Sequence, residues 1–192
     1  RPIETSVTID GQTERLAAEM VSGNYFTMLG VAPAVGRVFS SQEDDRVYEG
    51  HPVVVLSHDY WMRRFNGDRA AVGKKVLVNN YPMTIVGVSA AGFAGLDPTR
   101  SPQIRVPILM KAVLAPEWVW LKMDDERSRW VQVFARLKPG YTVESAQGPL
   151  QGLFLQTVVA SGHVEAPFRV HIGSQITAVV ASVPVVEGQT MK

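Results

Sequence analysis

The sequence predicts an α+β domain in which strands outnumber helices, and three observations carry that prediction. Several short segments alternate apolar and polar residues, or run as brief apolar blocks, and close on turn dipeptides. Only a few stretches space apolar residues helically, and those carry their own start and stop residues. The composition is globular, with 46% hydrophobic and 19% charged residues in a chain of 192, too apolar for a disordered polymer. A chain of this length buries roughly 70% of the surface its unfolded form exposes, so one core suffices without staples.

Taken in order, residues 5–9 alternate Val7 and Ile9 with polar neighbours and end in Asp10-Gly11, a turn signal; residues 15–21 resume as a second strand, predicting a hairpin. Tyr25, Phe26 and Leu29 have helical spacing, Gly30 sits at a left-handed C-cap and Pro33 follows, which predicts one short helix. The stretch from Ser40 to Asp45 turns acidic and reads as a loop with solvated charges. Val53-Val54-Val55-Leu56 is a continuous apolar run and predicts a strand buried on both faces. Ser57 is a good N-cap for a helix from His58 to Phe65, ended by Asn66-Gly67-Asp68. Residues 74–78 and 81–88 are strands joined by Asn79-Asn80, suited to a type I′ turn.

The glycine-rich run that follows is irregular up to a strand over residues 104–110. The clean alternation of Val131, Val133, Ala135 and Leu137 predicts another strand, closed by Lys138-Pro139-Gly140. Thr142 caps a helix running to about residue 159, which Gly148-Pro149 should weaken or kink. Residues 168–172 and 176–183 read as further strands.

The side-chain chemistry is sparse. Nineteen basic residues against eighteen acidic leave a formal charge of +1, no basic excess with which to displace counterions from nucleic acid. The absence of cysteine excludes disulfides, thiolate zinc sites and thiol catalysis. No run reaches the ~18–20 apolar residues of a membrane span. Ser57, His58 and Asp59 invite a hydrolase reading, but adjacent helical residues do not face one another and no G-x-S-x-G elbow surrounds the serine. His163 and His171 lack metal-ligand spacing, and neither Glu43-Asp44-Asp45 nor Asp124-Asp125-Glu126 matches a calcium loop. The segment from Gly87 to Gly95 lacks a phosphate-cradle pattern. No cofactor, metal or catalytic residue is therefore expected. Trp118, Trp120 and Trp130 flank a charged run; they read as core or as an exposed contact patch.

The ordered motifs resemble a known family. Val21-Ser22-Gly23-Asn24-Tyr25-Phe26, Leu29-Gly30-Val31, Pro33 and Gly36-Arg37-Val38-Phe39 are similar to the opening of the MacB-type periplasmic core domain of bacterial ABC transporter permeases. The similarity continues through Val53-Val54-Val55-Leu56-Ser57, Trp61, Arg64-Phe65, Val72-Gly73-Lys74, residues 81–88, residues 106–108 and residues 133–140. It covers roughly residues 5–159, and its style most resembles the orphan permeases of acidobacteria. Asn80 stands where relatives often carry glycine, Gly148-Pro149 interrupts an expected helix, and the tract after Phe168 matches least.

The resemblance implies a bipartite extracytoplasmic domain on the periplasmic side of the inner membrane. Residues 1–46 and 127–192 would form a porter-like βαβ lobe, and residues 47–126 an inserted, mainly-β Sabre-like lobe. It implies a non-enzymatic role, transmitting motion from cytoplasmic ATP hydrolysis and contacting substrate or partner proteins, with Trp118 and Trp120 as contact candidates. The implied partners are the rest of its own permease, through membrane helices flanking the segment, and an ABC ATPase, with a periplasmic adaptor or substrate beyond them. The isolated domain is expected to be a monomer and not to bind nucleic acid. The alternative is a free-standing periplasmic ligand-binding module.

Overall fold

The computed structural model describes residues 2–97, 100–118 and 130–148. They fall into two compact units, one ending at Val131 and the other beginning at Gln132. The first unit opens with β1 (Pro2–Ile9) and β2 (Gln12–Val21), paired along the whole of β1 from Pro2↔Glu19 to Ile9↔Gln12. Asp10 and Gly11 between them take φ of 51° and 79°, the double positive φ that a type I′ turn demands. Then come α1 (Tyr25–Leu29), β3 (Pro33–Gly36), α2 (Ser41–Asp44), β4 (Val53–Leu56), α3 (His58–Phe65), β5 (Lys75–Val78), β6 (Tyr81–Ser89), β7 (Ile104–Pro107) and α4 (Lys111–Leu114).

All seven strands share one mixed sheet in the order β3-β6-β4-β7-β2-β1-β5. β5 pairs with β6 as well as with β1, so the hydrogen bonding closes into a six-stranded ring, β6-β4-β7-β2-β1-β5. Closure removes the edge that an open sheet must otherwise defend. β4 runs parallel to β6 and β7 parallel to β2; the other pairings are antiparallel. The ring draws β1 and β2 from before residue 46 and β4–β7 from after it, with β3 added on β6. Backbone hydrogen bonding therefore runs across the lobe boundary expected there, because β2 finds its parallel partner in β7.

Two cores flank the sheet. One takes an inward side chain from each ring strand, among them Val7, Leu16, Val54, Val76, Met83 and Ile104, and is covered by Tyr60 and Trp61 of α3. The other, on the opposite face, holds Val21, Tyr25, Phe26, Phe39 and Val55. β4 serves both: Val54 and Leu56 enter the first core and Val55 the second, which is why its sequence is uninterruptedly apolar.

α1 ends as its residues dictate, with Gly30 at φ 70° as the left-handed C-cap. α3 starts at Ser57, whose hydroxyl accepts the Tyr60 N–H at 3.2 Å, and stops at Asn66 in the left-handed region. Ser57→Ala should lower stability by about 1 kcal/mol through loss of this cap, measurable as a shift in urea midpoint at unchanged slope. Asn79 and Asn80, at φ 48° and 65°, make the expected β5–β6 turn. Asn79 does more: its Oδ1 accepts the Thr5 hydroxyl at 2.8 Å and the Ser6 N–H at 3.0 Å, and its Nδ2 donates to the Val113 carbonyl at 3.0 Å. This ties the turn to β1, where the ring closes.

Three expectations are corrected. Residues 41–44 form one helical turn, α2, instead of a loop, because Ser40 caps it by accepting the Glu43 N–H at 3.2 Å and acidic residues favour a helix start. The strand at residue 104 ends at Pro107, after which the chain winds through a 3₁₀ turn into α4. Residues 130–138 join no ladder, and Val133 is 77% exposed. Alternation specifies a strand only where a partner edge and a face to bury are supplied. In the second unit, Thr142 caps residues 143–148 by accepting the Ser145 N–H at 3.2 Å. The remainder of that predicted helix and the strands expected at 168–172 and 176–183 lie outside the described residues.

Candidate functional site

The stretch from Glu19 to Asp45 carries two ion pairs, a buried one that ties it to β7 and a part-exposed one within the stretch itself. β2 and β7 are in parallel register with Glu19 opposite Arg105. The Arg105 Nε donates to Glu19 Oε2 at 3.0 Å, and its Nη2 donates to the Ala94 carbonyl at 3.2 Å. The guanidinium is wholly buried, lies 4.8 Å from the Phe93 ring centroid and 5.8 Å from that of Tyr25, and leaves Nη1 without a partner. The two rings offer their electron-rich faces to the cation. The Tyr25 hydroxyl donates to Glu19 at 3.4 Å. Its pKa is pushed up to about 12, first by burial and then by the Glu19 carboxylate.

The second pair joins the signature segment to itself. Arg37 grips Asp44 with two nitrogens, at 2.7 and 3.0 Å, and Asp44 also accepts the Ser40 N–H at 3.0 Å. This bidentate geometry is the strong form of the interaction, and Asp44 raises the already high pKa of Arg37. Asp45 accepts the Gly23 N–H at 3.2 Å, and Glu43 lies 3.3 Å from Arg37. The acidic cluster read from sequence as solvated loop charge is thus structural, with Asp44 only 2% exposed. Tyr25 and Phe26 are buried core, on the face their helical spacing shares. Phe26 packs edge-on against Tyr25 and Phe39 at 5.3 and 5.7 Å.

The sequence-derived candidates disperse. Ser57 Oγ is occupied as a helix cap, while His58 stacks edge-on against Trp61 at 5.5 Å and lies 3.8 Å from Asp59. Ser57 and His58 are not brought together as a nucleophile and base. Among the described residues, no group of three or more His, Asp or Glu side chains is placed to hold a metal. Trp118 is half-buried and meets Trp130 edge-on at 6.3 Å. Its carbonyl accepts from the buried Lys111 ammonium at 2.6 Å, and that ammonium lies 5.4 Å from the Trp130 ring centroid. Trp120, His163, His171 and the cluster at 124–126 lie outside the described residues.

Sequence reasoning missed Arg105, Glu19 and Lys111. A weak signal existed for the first: a lone charge between Ile104 and Val106, in a strand otherwise apolar.

A closed mixed sheet with cores on both faces defines a sheet-rich α+β scaffold. The model of the MacB-like periplasmic core domain matches residues 2–153, and the chain belongs to that family, the extracytoplasmic core domain of MacB-like ABC transporter permeases. Two solved structures share the fold. The periplasmic region of MacB from Actinobacillus actinomycetemcomitans is 17% identical with a TM-score of 0.55, over 81% of this chain and 64% of that one. A domain of a candidate permease protein from Porphyromonas gingivalis is also 17% identical, with a TM-score of 0.53, over 80% of this chain and 65% of that one. The chain spans under two thirds of the length of these relatives. No curated protein sequence matches it significantly. Among the described residues, no helix is long and apolar enough to cross a membrane.

Proposed function

We propose that this domain is a non-catalytic coupler in its permease, passing motion driven by an ABC ATPase at the cytoplasmic face to contacts with substrate or partner proteins outside the membrane. The observation that carries the reading is ring closure. Six strands hydrogen-bonded in a circle, filled by one core and backed by a second, resist shear between neighbours and move as one body. Such a body transmits displacement and has no need of a reactive group. Trp118 and Trp120 are the proposed contact residues, and Trp118 is only half-buried.

The test uses the full-length permease with its ATPase in proteoliposomes. A flexible Gly-Ser insertion at each junction of the domain should abolish transport while ATP hydrolysis continues, and Trp118→Ala with Trp120→Ala should weaken transport without lowering the melting temperature. Transport that survives both flexible junctions would sink the coupling role. Tryptophan variants indistinguishable from the parent would remove the contact assignment.

A further inference from the structure

Residues 46–50 form a turn whose organising bonds converge on one imidazole nitrogen. His51 Nε2 accepts the backbone N–H of Val47 at 2.8 Å and that of Arg46 at 3.2 Å. The Gly50 N–H closes the turn on the Val47 carbonyl at 3.1 Å, and the Glu49 N–H anchors it to the Leu109 carbonyl at 3.0 Å. Glu49 adopts φ 56°, a conformation that costs a non-glycine residue energy and persists only where its surroundings impose it. The turn presents Val47 and Tyr48, 58% and 49% exposed.

An imidazole nitrogen accepts a hydrogen bond only through the lone pair of the neutral ring. Protonation places a hydrogen on Nε2 facing two N–H donors, so the imidazolium and this turn exclude each other. We propose that His51 is a pH-sensitive clip that holds the Val47–Tyr48 tip closed when neutral and releases it when protonated. Histidine is the side chain that ordinarily changes charge between pH 5 and 8. The sign follows from the lone pair: the closed turn requires the neutral ring and is lost on protonation, so acid opens it.

The charged neighbours do not supply the switch in its place. On the same loop, Asp44 is held by Arg37 and Asp45 by the Gly23 N–H. Arg46 and Glu49 are exposed at the turn itself. From the element packed against it at Leu109, the charged group is Lys111, engaged by the Trp118 carbonyl. None of the ion pairs among the described residues includes His51. The inference does not depend on the coupling role.

NMR of this chain between pH 8 and pH 5 tests it. The Arg46 and Val47 amide resonances should move together with the His51 ring resonance. Their exchange rates, corrected for intrinsic pH dependence, should rise roughly tenfold at the acid end, as expected for loss of hydrogen bonds of ordinary strength. His51→Gln offers an amide oxygen near the Nε2 position and does not titrate, so it should keep the turn protected throughout. His51→Phe should leave the turn open at both ends. Unchanged Val47 protection in the parent chain would overturn the proposal. So would a His51→Gln profile that follows the parent, which would place the pH response on a group other than His51.

Discussion

Glu19→Ala lowers the unfolding free energy by about 3 kcal/mol, read as a fall in urea midpoint at constant slope. Arg105 is wholly buried and already has one nitrogen, Nη1, without a partner. Its charge is balanced by Glu19 at 3.0 Å, and its remaining bond is to the Ala94 carbonyl. Removing the carboxylate leaves the desolvation cost of the guanidinium in place and deletes the charge that offset it. The asymmetry is the diagnostic. Glu19→Met combined with Arg105→Met removes both charges and fills the volume with flexible apolar atoms, and should return stability to within about 1 kcal/mol of the parent. The cation also lies between the Phe93 and Tyr25 rings, surroundings that suit a thioether. A Glu19→Ala cost under about 1 kcal/mol would mean that water reaches Arg105 and that its charge is not offset mainly by Glu19.

This pair also marks the limit of what the sequence makes legible. Elements specified by neighbours along the chain are readable: the Asp10-Gly11 and Asn79-Asn80 turns, the Ser57 cap, the Gly30 C-cap and the doubly buried run at Val53–Leu56 each depend on residues within one turn of themselves. The family, too, is legible, because its motifs record these local choices in a fixed order. What the chain order hides is register. Glu19 and Arg105 are 86 residues apart, and no periodicity announces that β2 accepts β7 as a parallel neighbour. For the same reason the ring closure at Val7↔Val78 is invisible. The strand expected at residues 130–137 shows the converse: the alternation is there, and no ladder partner meets it among the described residues.

Gly87→Ala should cost about 3 kcal/mol and loosen the signature segment selectively. β3 and β6 cross with Gly36 directly opposite Gly87. A Cβ built on Gly87 would lie 2.0 Å from the Arg37 carbonyl oxygen and 2.8 Å from its nitrogen. Those are backbone atoms and cannot rotate aside. The strands must part, which breaks the Arg37 N–H bond to the Val86 carbonyl at 2.9 Å. Displacing Arg37 then strains its grip on Asp44 and withdraws Phe39 from Phe26. Hydrogen exchange should therefore accelerate across residues 36–44 before it does in β1 and β2, whose pairing the substitution does not touch. Gly148→Ala is the control. Its added Cβ meets nothing within 4 Å and it sits in the helix after Thr142, so it should be neutral or stabilising by up to about 1 kcal/mol. A Gly87→Ala chain that melts with the parent would show that β3 can slide off β6 at little cost. The glycines at this crossing would then have to be explained by something other than close approach of two backbones.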